Sequence, residues 1–336
     1  MRKIIFKIAL LFSFLLLIYC VEDYIVGKFL EERIAYKFSL DWRNYNSIFQ
    51  DCYELSDHLG FEPIWGTCGY PILSSVSFDK DGALLGKMSN KYRILILGDS
   101  NTNRGKFDIL LNNKLQETNN IDGKEFEIIK IGIESYNTFQ EIELLKTRLL
   151  KLDPDIVILQ FTLNDFEFSP IVLRIKDKYF YFSSKGEKSI EINSFLFKHS
   201  SIYRIYELNK IHTKEKDMLD NIVEPENYWK REVESMDKAL ESYKKIIDDN
   251  NILGVVVIYP IFADTQWEDE KKEIVSLLEK KGLYYIDLFD NSIPFGGPKY
   301  FQEDTDEGKL YPLHPNNNKF DPIVSDALSE YIFNVI

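Results

Sequence analysis

Four short segments of this chain place chemically capable side chains at the ends of apolar runs or beside a predicted helix. Arg93-Ile94-Leu95-Ile96-Leu97 runs into Gly98-Asp99-Ser100. Phe126 to Ile131 runs into Gly132-Ile133-Glu134-Ser135-Tyr136-Asn137-Thr138. Ile156 to Phe161 runs into Thr162-Leu163-Asn164-Asp165, and Leu313-His314-Pro315-Asn316 lies before the last helical pattern. Acyl transfer from an ester needs an activated nucleophile, a base within reach and donors for the oxyanion. Ser100 is the candidate nucleophile. The bases available are His58, His199, His212 and His314. His199 and His212 sit among lysines and polar residues, as solvated histidines do, and His58 precedes the patterned part of the chain. Taken singly, each segment also reads as ordinary turn chemistry.

The elements that must position these residues follow a strand–helix rhythm from residue 92. Strands are expected at Arg93 to Leu97, Phe126 to Ile131, Ile156 to Phe161, Leu253 to Tyr259 and Leu283 to Leu288. A helix is expected over Lys106 to Glu117. Another starts at Thr138, where Thr138-Phe139-Gln140-Glu141 reads as a capping box. It carries Phe139, Ile142, Leu145, Leu149 and Leu152 on one stripe. A third helix opens with Glu268, Asp269 and Glu270 and closes with Lys280 and Lys281 before Gly282, an order that suits the helix dipole and a C-terminal cap. The last helix takes Asp321 as N-cap with Pro322 at its first position. Residues 166–225 interrupt the rhythm with aromatics, lysines and short apolar runs, and read as a cap insertion.

A Ser, an Asn and a His in this order, the first two at strand ends, resemble the SGNH/GDSL hydrolase family over residues 92–336. The resemblance implies a three-layer α/β/α sandwich with a mostly parallel five-stranded sheet. It implies a serine ester hydrolase without metal or organic cofactor, acting on a small-molecule, lipid or glycan ester. It implies Ser100 as nucleophile and His314 as base, with the oxyanion held by the Ser100 and Ser135 backbone N–H groups and the Asn164 side chain. Ser135 stands where the family has glycine, and Thr162 stands where it usually has another. Asp99 reads as shaping the turn beside Ser100. The family's triad acid would fall on Tyr311. Three readings stay open: a Ser–His dyad, a substitute carboxylate from Asp304, Asp306 or Glu307, or an impaired enzyme. An envelope O-acyltransferase and a non-catalytic assembly protein on the same fold are the rival functions.

Bulk properties bound the partners. The 336 residues carry a net charge of −13, which argues against a nucleic-acid partner because phosphate binding needs a basic face. Apolar residues make up 45 %, enough for a sizeable core. Met1-Arg2-Lys3 precedes an uninterrupted apolar stretch from Ile8 to Val21, and Glu22-Asp23 follow. Basic before and acidic after favours an N-terminus in the cytoplasm and the remainder outside. Residues 1–21 are therefore expected to anchor the chain in the membrane. Cleavage is disfavoured because small residues before a cut are missing, and Tyr19 before Cys20 suits a lipoprotein poorly. Residues 22–91 read as a stalk and loop-rich preface. Cys52 and Cys68 would lie outside, where they either pair or remain buried thiols.

Overall fold

A computed structural model describes residues 2–29, 52–65, 91–117, 125–133, 136–166, 171–176, 178–182, 189–220, 225–259, 268–288 and 317–335. In chain order the elements are α1 (Arg2–Phe29), β1 (Tyr53–Ser56), β2 (Gly60–Pro63), β3 (Lys91–Gly98), α2 (Ser100–Arg104), α3 (Phe107–Glu117), β4 (Glu125–Gly132), α4 (Thr138–Thr147) and β5 (Ile156–Thr162). Then come β6 (Ile171–Ile175), β7 (Lys178–Phe182), β8 (Ile190–Ile192), α5 (Ser194–His199), α6 (Ser201–Asp220), α7 (Pro225–Asp249), β9 (Leu253–Tyr259), α8 (Glu268–Lys281), β10 (Tyr284–Asp287) and α9 (Asn317–Val335). The chain forms two compact units, one from residues 1–64 and 169–225, the other from 65–168 and 226–336.

The second unit is built on a five-stranded sheet in the order β10-β9-β5-β3-β4, every neighbouring pair parallel. Its central strands β3, β5 and β9 carry long apolar runs because both faces are covered. Ile94 and Ile96, Ile156 and Ile158, and Val255 and Val257 point to one face. They pack there with Phe107, Leu111 and Leu115 of α3 and Val324, Leu328 and Ile332 of α9. The alternate residues, Leu95, Val157 and Val256 among them, are equally buried on the other face. There the Tyr243 hydroxyl of α7 donates to the Val157 carbonyl at 2.9 Å. The predicted three-layer α/β/α core is present in this unit.

At the start of β3, away from the strand's Ser100 end, Arg93 is fully buried. It pairs across the ladder with Glu127, its Nε donating to Oε2 at 2.6 Å. A terminal nitrogen of the guanidinium donates to the Leu152 carbonyl. The Arg93 backbone N–H donates to Asp155 at 2.6 Å. This one side chain thus ties β3 to β4 and to the loop before β5.

Two helix starts differ from the sequence expectation. The capping box of α4 is Asn137 with Gln140, one residue earlier than expected. Asn137 Oδ1 accepts the Gln140 N–H at 3.1 Å, which frees Thr138 and Glu141 to turn inward. The helix also ends at Thr147, and Leu149–Leu152 forms a separate 3-10 turn. Helix α9 begins at Asn317, so Pro322 lies inside it and Asp321 is not its N-cap. The Asp321 carboxylate instead accepts the Lys106 backbone N–H at 2.7 Å, completing the otherwise unmet donor between α2 and α3.

The first unit has its own core. The hairpin β1-β2 and the antiparallel sheet β6-β7-β8 share an aromatic cluster in which the rings of Phe61 and Phe182 lie 5.2 Å apart. Val172, Tyr179, Tyr181 and Ile192 of the three-stranded sheet pack on Phe197 of α5 and on Leu208 and Ile211 of α6. Cys52 is disulfide-bonded and Cys20 is free, while Cys68 lies outside the described residues. Among the described residues no helix is long and apolar enough to cross a membrane.

Candidate active site

The strand order decides where a ligand can sit. Numbered within the sheet, it is 2-1-3-4-5, with β3 first and β5 third. The chain leaves β3 for β4 on one side and then crosses over to β5 on the other. The order reverses between β3 and β5, and the carboxyl ends of strands at such a switch point are the position at which open α/β sheets bind ligands. Ser100 follows β3 directly, as the first residue of α2, and is half-buried. The 3-10 turn Leu163–Phe166 follows β5 directly and carries Asn164 in its backbone. Leu97 and Leu159 are register partners, so the two turns leave one edge of the sheet side by side. The structure brings the Ser100 and Asn164 positions together to that extent; the Asn164 side chain is outside the description. Ser135, His314, Asp304, Asp306, Glu307 and Tyr311 lie outside the described residues.

Two glycines allow this crowding. A Cβ on Gly98 would meet the side chains of Thr102 and Gln160. One on Gly132 would land on the backbone of Thr102 and Asn103. Gly132 therefore lets the end of β4 press against α2, and Ile133 N–H reaches the Gly98 carbonyl at 2.9 Å. Because the obstacle at Gly132 is backbone, Gly132→Ala is expected to push α2 and Ser100 outward. Denaturant melts should show a loss of about 1–3 kcal/mol, the usual cost of overpacking.

Asp99 holds the Ser100 turn, as the sequence suggested. It is buried, and its carboxylate accepts the Asn101 N–H at 2.8 Å and the Gln160 side-chain amide at 3.1 Å. Gln160 continues to Thr162 at 2.8 Å and accepts from Thr102. Asp165 accepts the Thr162 N–H at 2.9 Å and the Thr138 hydroxyl at 3.0 Å, clasping the Asn164 turn to the start of α4. A buried polar network thus connects both candidate turns. It escaped the sequence reading, whose one signal was a glutamine inside an otherwise apolar buried strand.

Glu141 also escaped it. It is 2 % exposed, and neither carboxyl oxygen has a hydrogen-bond partner. Burial pushes its ionisation well above the usual carboxylate range, and the charges of Asp165 and Asp99 push the same way. Burial and Asp99 likewise raise Asp165, against the lowering effect of its bonds from Thr162 and Thr138. Such neighbours titrate as a group. Among the described residues no cluster of His, Cys, Asp and Glu could hold a metal ion.

The raised acid sets a sign for pH dependence. Between the ordinary carboxylate pKa and the raised one, the folded chain keeps a proton that the unfolded chain has released. Stability therefore falls as pH rises through that window. Glu141→Gln removes this contribution. Urea melts across pH should show the variant more stable than the parent at neutral pH. The difference should grow with pH and vanish near about pH 4, where the unfolded glutamate is itself protonated. A constant difference across pH would refute the assignment.

No family model and no curated protein matches the chain. Solved structures similar to it include an esterase from Pseudoalteromonas, at 15 % identity with a TM-score of 0.41, covering 73 % of this chain and 98 % of that one. An acetyl xylan esterase is 14 % identical at a TM-score of 0.40, covering 73 % of this chain and all of the other. A GDSL-like lipase from Bacteroides thetaiotaomicron is 10 % identical at a TM-score of 0.40, with 73 % and 89 % covered.

Proposed function

We propose that this chain is a membrane-tethered, extracytoplasmic serine hydrolase of the SGNH type that removes acyl groups from lipid or carbohydrate esters. The observation that carries the reading is the emergence of the Ser100 turn and the Asn164 turn side by side at the switch point of a 2-1-3-4-5 sheet. Buried side chains fix the two turns relative to each other, as an oxyanion site requires. In this reading Ser100 Oγ attacks the ester carbonyl while His314 takes the hydroxyl proton. The tetrahedral oxyanion is held by Ser100 N–H, Ser135 N–H and the Asn164 amide. Collapse breaks the bond to the alcohol, which leaves with the proton from His314. Water then attacks the acyl-serine by the same route and restores Ser100.

Tethering is supported by α1, where Leu10, Leu11, Phe12, Leu16 and Leu17, spread around the helix, are all exposed. A helix with apolar side chains on every face is at rest only in an apolar surrounding. An active-site serine probe such as a fluorophosphonate, applied to the full chain in vesicles, tests the enzyme reading. It should label the parent at Ser100 and leave Ser100→Ala unlabelled. Absence of labelling in the parent would favour the non-catalytic assembly protein. Formation of acylated sugar in place of free acid, when a sugar acceptor is supplied, would favour the transferase.

A further inference from the structure

Helix α5 buries one face and displays an apolar one to solvent. Phe197 is fully buried, its ring 4.9 Å from that of Tyr179. Phe195, two residues earlier, is 71 % exposed, and Leu196 is also exposed. Among the described residues the core of the first unit includes Phe197 but neither of these two. The attachment of α5 to α1 bears on what meets them. Ser200, which ends α5, is joined to α1 twice. Tyr19 Oη lies 2.6 Å from Ser200 Oγ, and Ser200 Oγ donates to Asp23 Oδ1 at 2.8 Å. The same Asp23 oxygen accepts the Ile202 N–H at 2.8 Å, so α1 caps the first turn of α6.

Tyr19 belongs to the apolar stretch of α1, and Asp23 lies just past it. They are one helical turn apart, ~6 Å along the axis. The α5–α6 junction is therefore held at the level where α1 changes from apolar to acidic. Phe195 lies five residues before Ser200, ~7.5 Å along α5. Its ring is 4.9 Å from that of His199, and Lys198 and His199 are exposed beside it. An exposed aromatic side chain with basic neighbours, near the level where the apolar stretch of α1 ends, suits the headgroup layer of a bilayer.

We propose that α5 is a lipid-resting foot: the Phe195–Leu196 edge seats in the headgroup layer of the membrane that α1 enters. The proposal rests on the tethering reading above. It adds that the first unit touches the lipid surface through a second element, so α1 is not a free stalk joined to it by a loose chain.

The test uses the full chain reconstituted in vesicles of mixed zwitterionic and anionic phospholipid. Cys20→Ser removes the free thiol. An environment-sensitive fluorophore is then attached through Phe195→Cys or, as a control, through Asn113→Cys on the exposed face of α3. Both sites are exposed, so neither substitution threatens a core. Lipids carrying a nitroxide near the headgroup should quench the label at 195 at least about twofold more than the label at 113, as expected for a site ~5–10 Å inside the interface. Equal quenching in a chain that floats with the vesicles overturns the proposal and leaves tethering intact. A chain that does not float overturns both. Shielding of the 195 label that depends on protein concentration, without nitroxide quenching, means that a second copy covers the foot, and this also overturns it.

Discussion

Ser100→Ala is expected to remove essentially all ester hydrolysis, a loss on the order of 10⁶-fold in kcat when a nucleophile acting with its base is deleted. The reason is local. Asp99 and Gln160 fix the turn, so alanine leaves the fold as it is and removes only the hydroxyl. Thermal melts of the variant should therefore match the parent. Asn164→Ala should cost less, roughly 10²–10³-fold, because one oxyanion donor is lost while the others remain. That ranking, read from initial rates on short aryl esters, separates a nucleophile from a residue that merely shapes the turn. If Ser100→Ala leaves a measurable parental activity unchanged, the hydrolase reading is wrong.

The largest effect on stability is expected at Arg93. Removing one partner of a buried ion pair leaves the other charge without compensation, at about 3–5 kcal/mol. In Arg93→Ala the stranded group is the buried Glu127 carboxylate, and the Leu152 carbonyl loses its donor as well. Replacing both, as Arg93→Met with Glu127→Leu, should recover most or all of the loss, because the polar pair is then exchanged for apolar packing. Denaturant melts of the two single variants and the double variant form the cycle. A double variant as unstable as the sum of the singles would show that Arg93 works through something other than Glu127. Ester hydrolysis per folded molecule should stay near the parental level, since the pair lies at the far end of β3 from Ser100.

The core of the second unit was legible because its signals are one-dimensional. Runs such as Ile156 to Phe161, apolar but for Gln160, and Leu253 to Tyr259 stop at turn residues, so the strands appear where expected to within a residue or two. The turns that carry Ser100 and Asn164 were legible for the same reason, each residue being polar and two positions past a strand end. What failed was the placing of polar side chains that face inward. Thr138 and Glu141 satisfy a capping pattern as well as Asn137 and Gln140 do. In the folded chain the Thr138 hydroxyl is engaged with the buried Asp165, and Asn137 serves as the cap. Glu141 and Gln160 look like surface residues to any periodicity, since their burial is a property of the packed layers. Strand β7 was hidden differently. Tyr179 to Phe182 is aromatic at every position, so the alternation that marks a half-buried strand is absent, and all four side chains are buried.

The link between Gln160 and the Ser100 turn also sets how that turn can move. Loops that bind ligands are commonly drawn from the least stable parts of a fold, where they open without disturbing the core. Here the turn is bonded to a side chain in the middle strand of the sheet, and β4 is packed against its other side. Opening it means separating Asp99 from Gln160 and exposing the end of the central sheet. Its backbone amides should therefore exchange with solvent on the slow timescale of the core strands. Any motion that admits a ligand to this end of the sheet must arise elsewhere than at the Ser100 turn.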